Sequence, residues 1–525
     1  MTTATTPYRS GQPAGRDGFF QLVRAEWTKF RTVRGWVIGT VVAALVIVVL
    51  SLLGASGSHV GMVVNGKSVV GGPSIPVGPG GVGVADTFYF VHRPLAGDGS
   101  ITVRITSLTG VVAPGGNRHA AGNPLAGTHP GLEPWAKAGL IIKQGTAPGS
   151  AYAAVMVTGA HGVRMQFNYT HDAAGRRGPV SPASPRWLRL TRSGETLTAY
   201  ESADGTHWTW VGTARLPGLP STVQAGLFVA SPVFSHGGGG AASLATAVVD
   251  HLSLQGRWPR DAWTGAGVGG GPTSDYPILD TGGFHESAGT FTVSGSGDIA
   301  PAVRGGMFGG STIDKTLSGG FAGLVAVIVL ATIFITSEYR RGLIRITLAA
   351  SPRRGRVLAA KAIVIGSVTF VAGLVALAIA VPLGEHILRS NGNFFFPMNS
   401  LTALRVMTGT AALLAVAAIF ALAVGALVRR SAAAVCIGIA AILLPYILAT
   451  AGVLPASVSA WLLRVTPAGA FAIQQTLHRY AQVSDAYTPT NGYYPLAPWA
   501  GLTVLCAYAA LALGLAAWQL RRRDA

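Results

Sequence analysis

The chain has 525 residues, of which 49% are hydrophobic and only 11% charged, and its formal net charge is +19. Soluble proteins carry about 25% charged residues, so the deficit points to surface that faces lipid. Two cysteines, Cys436 and Cys506, both in apolar runs, exclude a disulfide or zinc framework, and the length allows roughly three domains.

Residues 1–35 read as a cytoplasmic N-terminal segment. Within it, 19–34 (FFQLVRAEWTKFRTVR) places Phe20, Val23, Trp27, Phe30 and Val33 at three- and four-residue steps, with Arg24, Lys29, Arg31 and Arg34 elsewhere. This predicts a basic amphipathic helix along the inner leaflet. Periodicity leaves open whether it only anchors the chain or also touches a cytoplasmic partner. The apolar run 36–53 follows. It is about the length of a spanning helix and longer than a signal h-region. It is therefore read as a retained first span, with cleavage in the small residues that follow it as the alternative.

Residues 54–80 read as a Gly/Pro-rich tether. Over 81–256, short runs rich in Val, Ile, Thr, Tyr and Phe alternate with turns such as Arg192-Ser193-Gly194 and Ala203-Asp204-Gly205. That spacing predicts an all-β jelly roll or sandwich. Residues 257–318 read as a second, Gly-rich tether with one strand pattern at 289–293. Further apolar runs at 319–336, 362–382, 406–428, 431–453 and 499–520 complete six predicted transmembrane helices, and 319–525 reads as their bundle. None of the six has an Asp, Glu, Lys, Arg or His in its interior. The partly apolar stretch 454–498 is expected outside, either flat in the interface or dipping in without crossing.

Charge fixes the expected topology. Arg24 to Arg34 precede the first span, and Arg340, Arg341, Arg345, Arg353, Arg354, Arg356 and Lys361 lie between the second and third. Arg429 and Arg430 lie between the fourth and fifth, and Arg521 to Arg523 follow the sixth. These segments alternate and so share one side. The positive-inside rule makes that side cytoplasmic, leaves 54–318 extracytoplasmic, and predicts a multi-pass protein of the cell membrane. Much of the excess charge is then topological and does not indicate nucleic acid.

Three signals carry little weight. Gly61 to Ser68 matches the phosphate-loop pattern G-x-x-x-x-G-K-[ST], but a span precedes it and a Gly/Pro tether follows. The chemistry needs a strand before and a helix after. No metal is expected, because His92, His207 and His251 are scattered. No spacing ties Asp86, Glu133, Glu195, Glu201 or Asp204 into the opposed carboxylates of a glycosidase. The chain is therefore expected to be neither an enzyme nor a holder of cofactors.

The order AEWTKFRTVR, first span, second span, SEYRRGLIRITLAASPRRGRVLAAK, third span resembles permeases of ABC type-2 exporters. The resemblance covers about 1–55 and 317–525. It rests on Glu338, Tyr339, Gly342, Ile344, Arg345, Thr347 and Leu348, with Arg340 and Arg341 inside the pattern. It implies that this loop couples to a separate cytoplasmic ATPase carrying ATP and Mg. It also implies that 19–34 is an interface helix (Phe20, Val23, Trp27, Phe30) and that a second permease subunit completes the pathway. The large insertion after the first span departs from members with a short loop there. The insertion resembles a concanavalin/LamG-type jelly roll, a class that often binds sugars. Trp135, Tyr200, Trp208 and Trp210 are its candidate ligand-facing aromatics, and packing in or on the sandwich is the alternative. Ion-coupled transporters place Asp, Glu or His at midplane; without such groups, energy must arrive from a partner. The expected function is an exporter permease subunit. The alternative is a membrane-anchored carbohydrate-binding or sensor protein.

Overall fold

The computed structural model describes residues 18–59, 61–64, 67–70, 75–113, 127–236, 239–259, 261–269, 282–303, 310–340, 353–483 and 487–522. Helix α1 (Phe19–Thr32) is separated from α2 (Arg34–Ser56) by Val33 in extended conformation. After the strands come α3 (Gly319–Arg340), α4 (Arg354–Ser390), α5 (Ser400–Val428), α6 (Ser431–Thr450), α7 (Ala456–Val465) and α8 (Pro498–Arg522). Among the described residues, six helices (α2 to α6 and α8) are long and apolar enough to cross a membrane.

Their ends run past the apolar stretches. Helix α4 has 37 residues, about 55 Å at 1.5 Å per residue, against a hydrocarbon core of about 30 Å. Two of the charged side chains that it carries beyond the apolar run are matched by partners. Lys361 is ion-paired, and Arg389 meets Glu385 one turn back at 2.8 Å. Helix α5 is the most enclosed, and Asn399 caps it by accepting the Thr402 N–H at 2.7 Å. Small residues on α5 such as Ala411, Ala417, Ala418 and Ala421 are buried and let neighbouring helices approach. Helix α2 instead exposes Val41, Val42, Leu45 and Val49, a surface suited to lipid. It meets α3 where Gly323 stands; a Cβ there would lie 2.2 Å from the Ile47 side chain. Within 454–498, α7 and the 3₁₀ segment Pro467–Gln474 meet at 100°. The 3₁₀ segment is buried, with Phe471 against Tyr446 (ring centroids 4.2 Å) and Phe321 (5.4 Å). The 3₁₀ segment thus folds into the bundle, while α7 buries Ser459 and Leu463 and leaves Val458, Trp461 and Val465 exposed.

Between α2 and α3 lie β1 (Gly61–Val64), β2 (Lys67–Val70), β3 (Val84–Asp86), β4 (Phe88–Val112), β5 (His129–Pro130), β6 (Lys137–Lys143), β7 (Tyr152–Thr158), β8 (Val163–Phe167), β9 (His171–Ala174) and β10 (Arg186–Ser193). They continue with β11 (Thr196–Ser202), β12 (Thr209–Arg215), β13 (Thr222–Ala230), β14 (Phe234–His236), β15 (Gly239–Ala241), β16 (Ser243–Arg257), β17 (Thr264–Val268), β18 (Gly283–Ser287), β19 (Thr290–Gly295) and β20 (Ile299–Pro301). Strands β1 and β2 pair antiparallel, Val64 with Lys67. The phosphate-loop match therefore falls on a hairpin. Among the described residues the next element is β3, a strand, and not the helix that a phosphate loop needs.

The 25-residue β4 passes from one sheet to another at Gly97, whose φ of +69° favours glycine. Its first half lies in the order β17-β4-β13-β6-β7-β8-β9. Its second half lies in the order β12-β11-β10-β4-β16-β19-β18. The two sheets close over Val103, Leu140, Val155, Leu188, Leu190 and Leu227. The first sheet is covered on its other face as well, where Phe90, Ile141, Tyr152 and Phe228 pack against Val84 and Ile299 of the ribbon β3–β20. Burial on both faces explains why β6 and β7 are buried at every residue while β10 alternates. The second sheet keeps a wet outer face.

Residues 257–318 do more than tether. Four strands lie there, and β17 and β19 complete the two sheets. The ribbon is pinned by the two ends of β6. Lys137 reaches Asp298 at 2.6 Å, and Lys143 reaches Asp86 at 2.7 Å, both lysines fully buried. The Tyr169 hydroxyl donates to the same Asp86 oxygen at 2.8 Å. Below the ribbon, Ile75 and Ala302 cluster with Phe396 of the α4–α5 connection, and Gln482 donates to the Tyr169 carbonyl at 3.1 Å. The sandwich thus sits on one pole of the bundle through packed contacts.

Candidate functional site

The opposite pole gathers the basic segments. Helix α1 turns Phe30 and, in part, Val23 toward the bundle, while Phe20 and Trp27 remain exposed. The expected apolar stripe is therefore only half engaged. Phe30 meets Phe334 edge-on at 5.9 Å, and Trp36 meets the same ring at 5.4 Å. On the inward face of α1, one turn before Phe30, lies Glu26, which is also buried.

Glu26 belongs to a charge node. The Lys361 ammonium, fully buried on α4, donates to Glu26 Oε2 at 2.7 Å and to Glu338 Oε1 at 2.8 Å. Lys29 of α1 pairs with the same Glu338 oxygen. Two carboxylates and two ammoniums thus join α1, the end of α3 and the start of α4 with no net charge. Each member is costly to bury alone, and together they hold the three elements in one register. Beside the node, Arg429 lies 5.2 Å over the Tyr339 ring, and the Thr336 and Ser431 hydroxyls meet at 2.7 Å.

Of the expected coupling residues, Glu338 and Tyr339 are thus turned into the bundle and Arg340 is exposed. Arg341, Gly342, Ile344, Arg345, Thr347 and Leu348 lie outside the described residues. Glu26 and Lys361 escaped the sequence reading as a pair. Their traces were a lone carboxylate in a basic helix and a lysine abutting an apolar run.

The second candidate is the wet face of the outer sheet. Register places Thr102, Arg189, Tyr200 and Trp210 in one row across β4, β10, β11 and β12. Trp210 is 60% exposed and donates its indole N–H to Thr213 at 3.1 Å. Arg189 lies 3.9 Å over the Trp208 ring and donates to Thr102 at 3.1 Å. The next row holds Trp187 beside Arg104, which grips Asp250 through two bonds of 2.7 Å. Asp204 secures the turn that carries Trp208. It accepts the N–H groups of His207 and Thr206 at 2.8 Å each, and the His207 N–H and imidazole hold its carboxyl well below the usual range.

Three of the four candidate aromatics, Tyr200, Trp208 and Trp210, therefore share a face. Trp135 does not: it is buried beside β6, stacked on His161 at 3.9 Å. The carboxylates are committed elsewhere. Glu133 accepts the Trp135 N–H, Glu195 the Gly218 N–H at 2.8 Å, and Glu201 the Arg176 N–H at 2.6 Å. Burial pushes the Glu201 carboxyl up. Among the described residues, no three His, Cys, Asp or Glu side chains group to hold a metal.

No family model matches the chain, and no curated protein sequence matches it. Solved structures align at low scores. A functionally unknown protein from Saccharomyces cerevisiae is 15% identical, covering 33% of this chain and 76% of that one, with TM-score 0.21. A GH43 protein from Bacillus licheniformis is 13% identical, covering 30% and 28%, with TM-score 0.19. Scytalido-glutamic peptidase is 8% identical, covering 40% and 98%, with TM-score 0.26. These scores carry no argument about fold or chemistry.

Proposed function

We propose that this chain is the membrane-spanning permease subunit of an ATP-binding-cassette exporter, driven by a separate cytoplasmic ATPase. The observation that carries the reading is the charge node of Glu26, Lys29, Glu338 and Lys361. It fastens the amphipathic α1 to the two helices that flank 341–352, the segment whose sequence resembles a coupling loop. A push on that segment moves α1, α3 and α4 together. At the far pole the ribbon strands β3 and β20, which lie between α2 and α3 in chain order, pair with each other, and Ile75 and Ala302 beside them pack on Phe396 of the bundle. Motion of α2 against α3 is thereby passed to the sandwich, and paired subunits rock between inward- and outward-facing states.

The test is co-purification of an ATPase with the full chain. Deletion of 341–352 abolishes the association if the segment couples, while the purified variant stays monodisperse. Retained association in the deletion overturns the reading.

The row of Arg189, Tyr200 and Trp210 favours a second role, recognition of carbohydrate by the outer sheet. Exposed rings beside guanidinium and hydroxyl groups suit stacking on sugar faces. Full-length protein on a glycan array, compared with Trp210→Ala, tests it. Binding that is absent in the native chain, or indifferent to the substitution, removes this role.

A further inference from the structure

We propose that the cleft between the start of α4 and the end of α8 holds the phosphate headgroup of an anionic phospholipid. The cleft has a volume of ≈ 740 Å³ and is lined by Arg353, Arg354, Gly355, Arg356, Ala359, Ala517 and Arg521. Four arginines line it, and among the described residues no carboxylate does. Arg354 is partly spent, since it donates to the Leu520 carbonyl at 2.6 Å and so ties down the end of α8. Arg353, Arg356 and Arg521 make no ion pair among the described residues. Like charges brought together repel, and an anion in the cleft reverses that term. No side-chain oxygen caps α4, so the positive end of this 37-residue helix adds to the same field. Guanidiniums grip phosphate oxygens in pairs.

The surroundings identify the source of the phosphate. On α8, Leu511, Leu515 and Trp518 are exposed, and Arg522 lies 4.4 Å over the Trp518 ring. Tryptophan and arginine side by side at a helix end mark headgroup depth, with the leucines in line for acyl chains below. On the α4 side Ile363 is exposed at the matching end. Basic pockets between helix ends recognise anionic headgroups. The inference rests on these helices spanning a bilayer and is independent of any ATPase.

The test uses full-length protein in detergent, titrated with phosphatidylglycerol, with phosphatidylcholine and with soluble glycerol phosphate, and read by native mass spectrometry. The native chain binds phosphatidylglycerol in preference to phosphatidylcholine. The triple variant Arg353→Gln, Arg356→Gln, Arg521→Gln loses at least tenfold, given roughly fivefold per guanidinium. Its melting in phosphatidylcholine micelles stays unchanged. If the triple variant melts early, Arg356→Gln alone, on an exposed side chain, is read for the single fivefold loss. Equal binding of the two lipids, or unchanged phosphatidylglycerol binding in a folded variant, overturns the proposal. Equal competition by glycerol phosphate assigns the cleft to free phosphate instead. Loss of an acidic protein partner with lipid binding intact assigns it to protein docking.

Discussion

Replacing Lys361 by Met tests the node most sharply. The ammonium is fully buried and, among the described residues, is the group that hydrogen-bonds both Glu26 and Glu338. Removing it leaves Glu338 with Lys29 but strips Glu26 of its close ion-pair partner. Breaking a buried pair from one side costs about 3–5 kcal/mol, because the remaining charge stays buried. That is about two to three and a half decades in the folding equilibrium. Methionine nearly matches the lysine stem in volume, so the loss is electrostatic and not a cavity. The double variant Lys361→Met, Glu26→Gln removes the stranded charge and should recover at least half of the loss. Thermal unfolding of the detergent-solubilised protein, followed by the monodisperse fraction on size exclusion, reads all three proteins. A double variant no more stable than Lys361→Met would refute the reasoning, as would a single variant as stable as the native chain.

Two further outcomes follow from the sandwich. Asp86→Asn leaves the Lys143 ammonium buried opposite a neutral amide, so the ribbon β3–β20 should loosen by about 3–5 kcal/mol. Limited proteolysis should then cut near 75–87 faster than in the native chain, with Lys143→Met in the same chain restoring protection. Burial holds the His92 imidazole below its ordinary 6.5, despite its hydrogen bond with Gln224. A depressed folded value means stability that is present above pH 6.5 and lost as pH falls through the folded value. The raised Glu201 carboxyl acts in the opposite sense, with a contribution present below 4.5 and lost as pH rises. The informative quantity is therefore the difference between the native chain and His92→Asn. Melting curves between about pH 7.5 and 5 should fall less steeply for the variant, and identical slopes would contradict the assignment.

The apolar helices are legible in the sequence because a bilayer-length run without charge has few other uses. Their true ends are not. Helix α4 runs through Lys361 and Glu385 because their partners are supplied by α1, α3 and its own next turn, and composition cannot announce that. The strands of 81–256 follow from turn spacing and β-branched runs. Between Thr264 and Pro301 only β19 shows in the sequence, as the pattern at 289–293; β17 is hidden by glycine, which there serves close packing: a Cβ at Gly265 would stand 2.5 Å from the Phe284 ring. The Gly61–Ser68 pattern shows that the letters of a phosphate loop can fall on two paired strands. Trp135 and Trp210 look alike as residues, yet one lies in a turn under the core and the other on a wet alternating strand. The node is the least visible feature, since Glu26 and Lys361 stand 335 positions apart and each alone passes for a topogenic charge.

The account depends most on the two poles lying on opposite sides of the cell membrane. With Cys436 and Cys506 replaced by Ala, single cysteines at Thr213→Cys on the outer sheet and at Arg353→Cys beside α4, both exposed, can be probed in intact cells with a membrane-impermeant maleimide. The account predicts immediate labelling at 213 and labelling at 353 only after permeabilisation. Labelling at 353 in intact cells, or protection at 213, would contradict it.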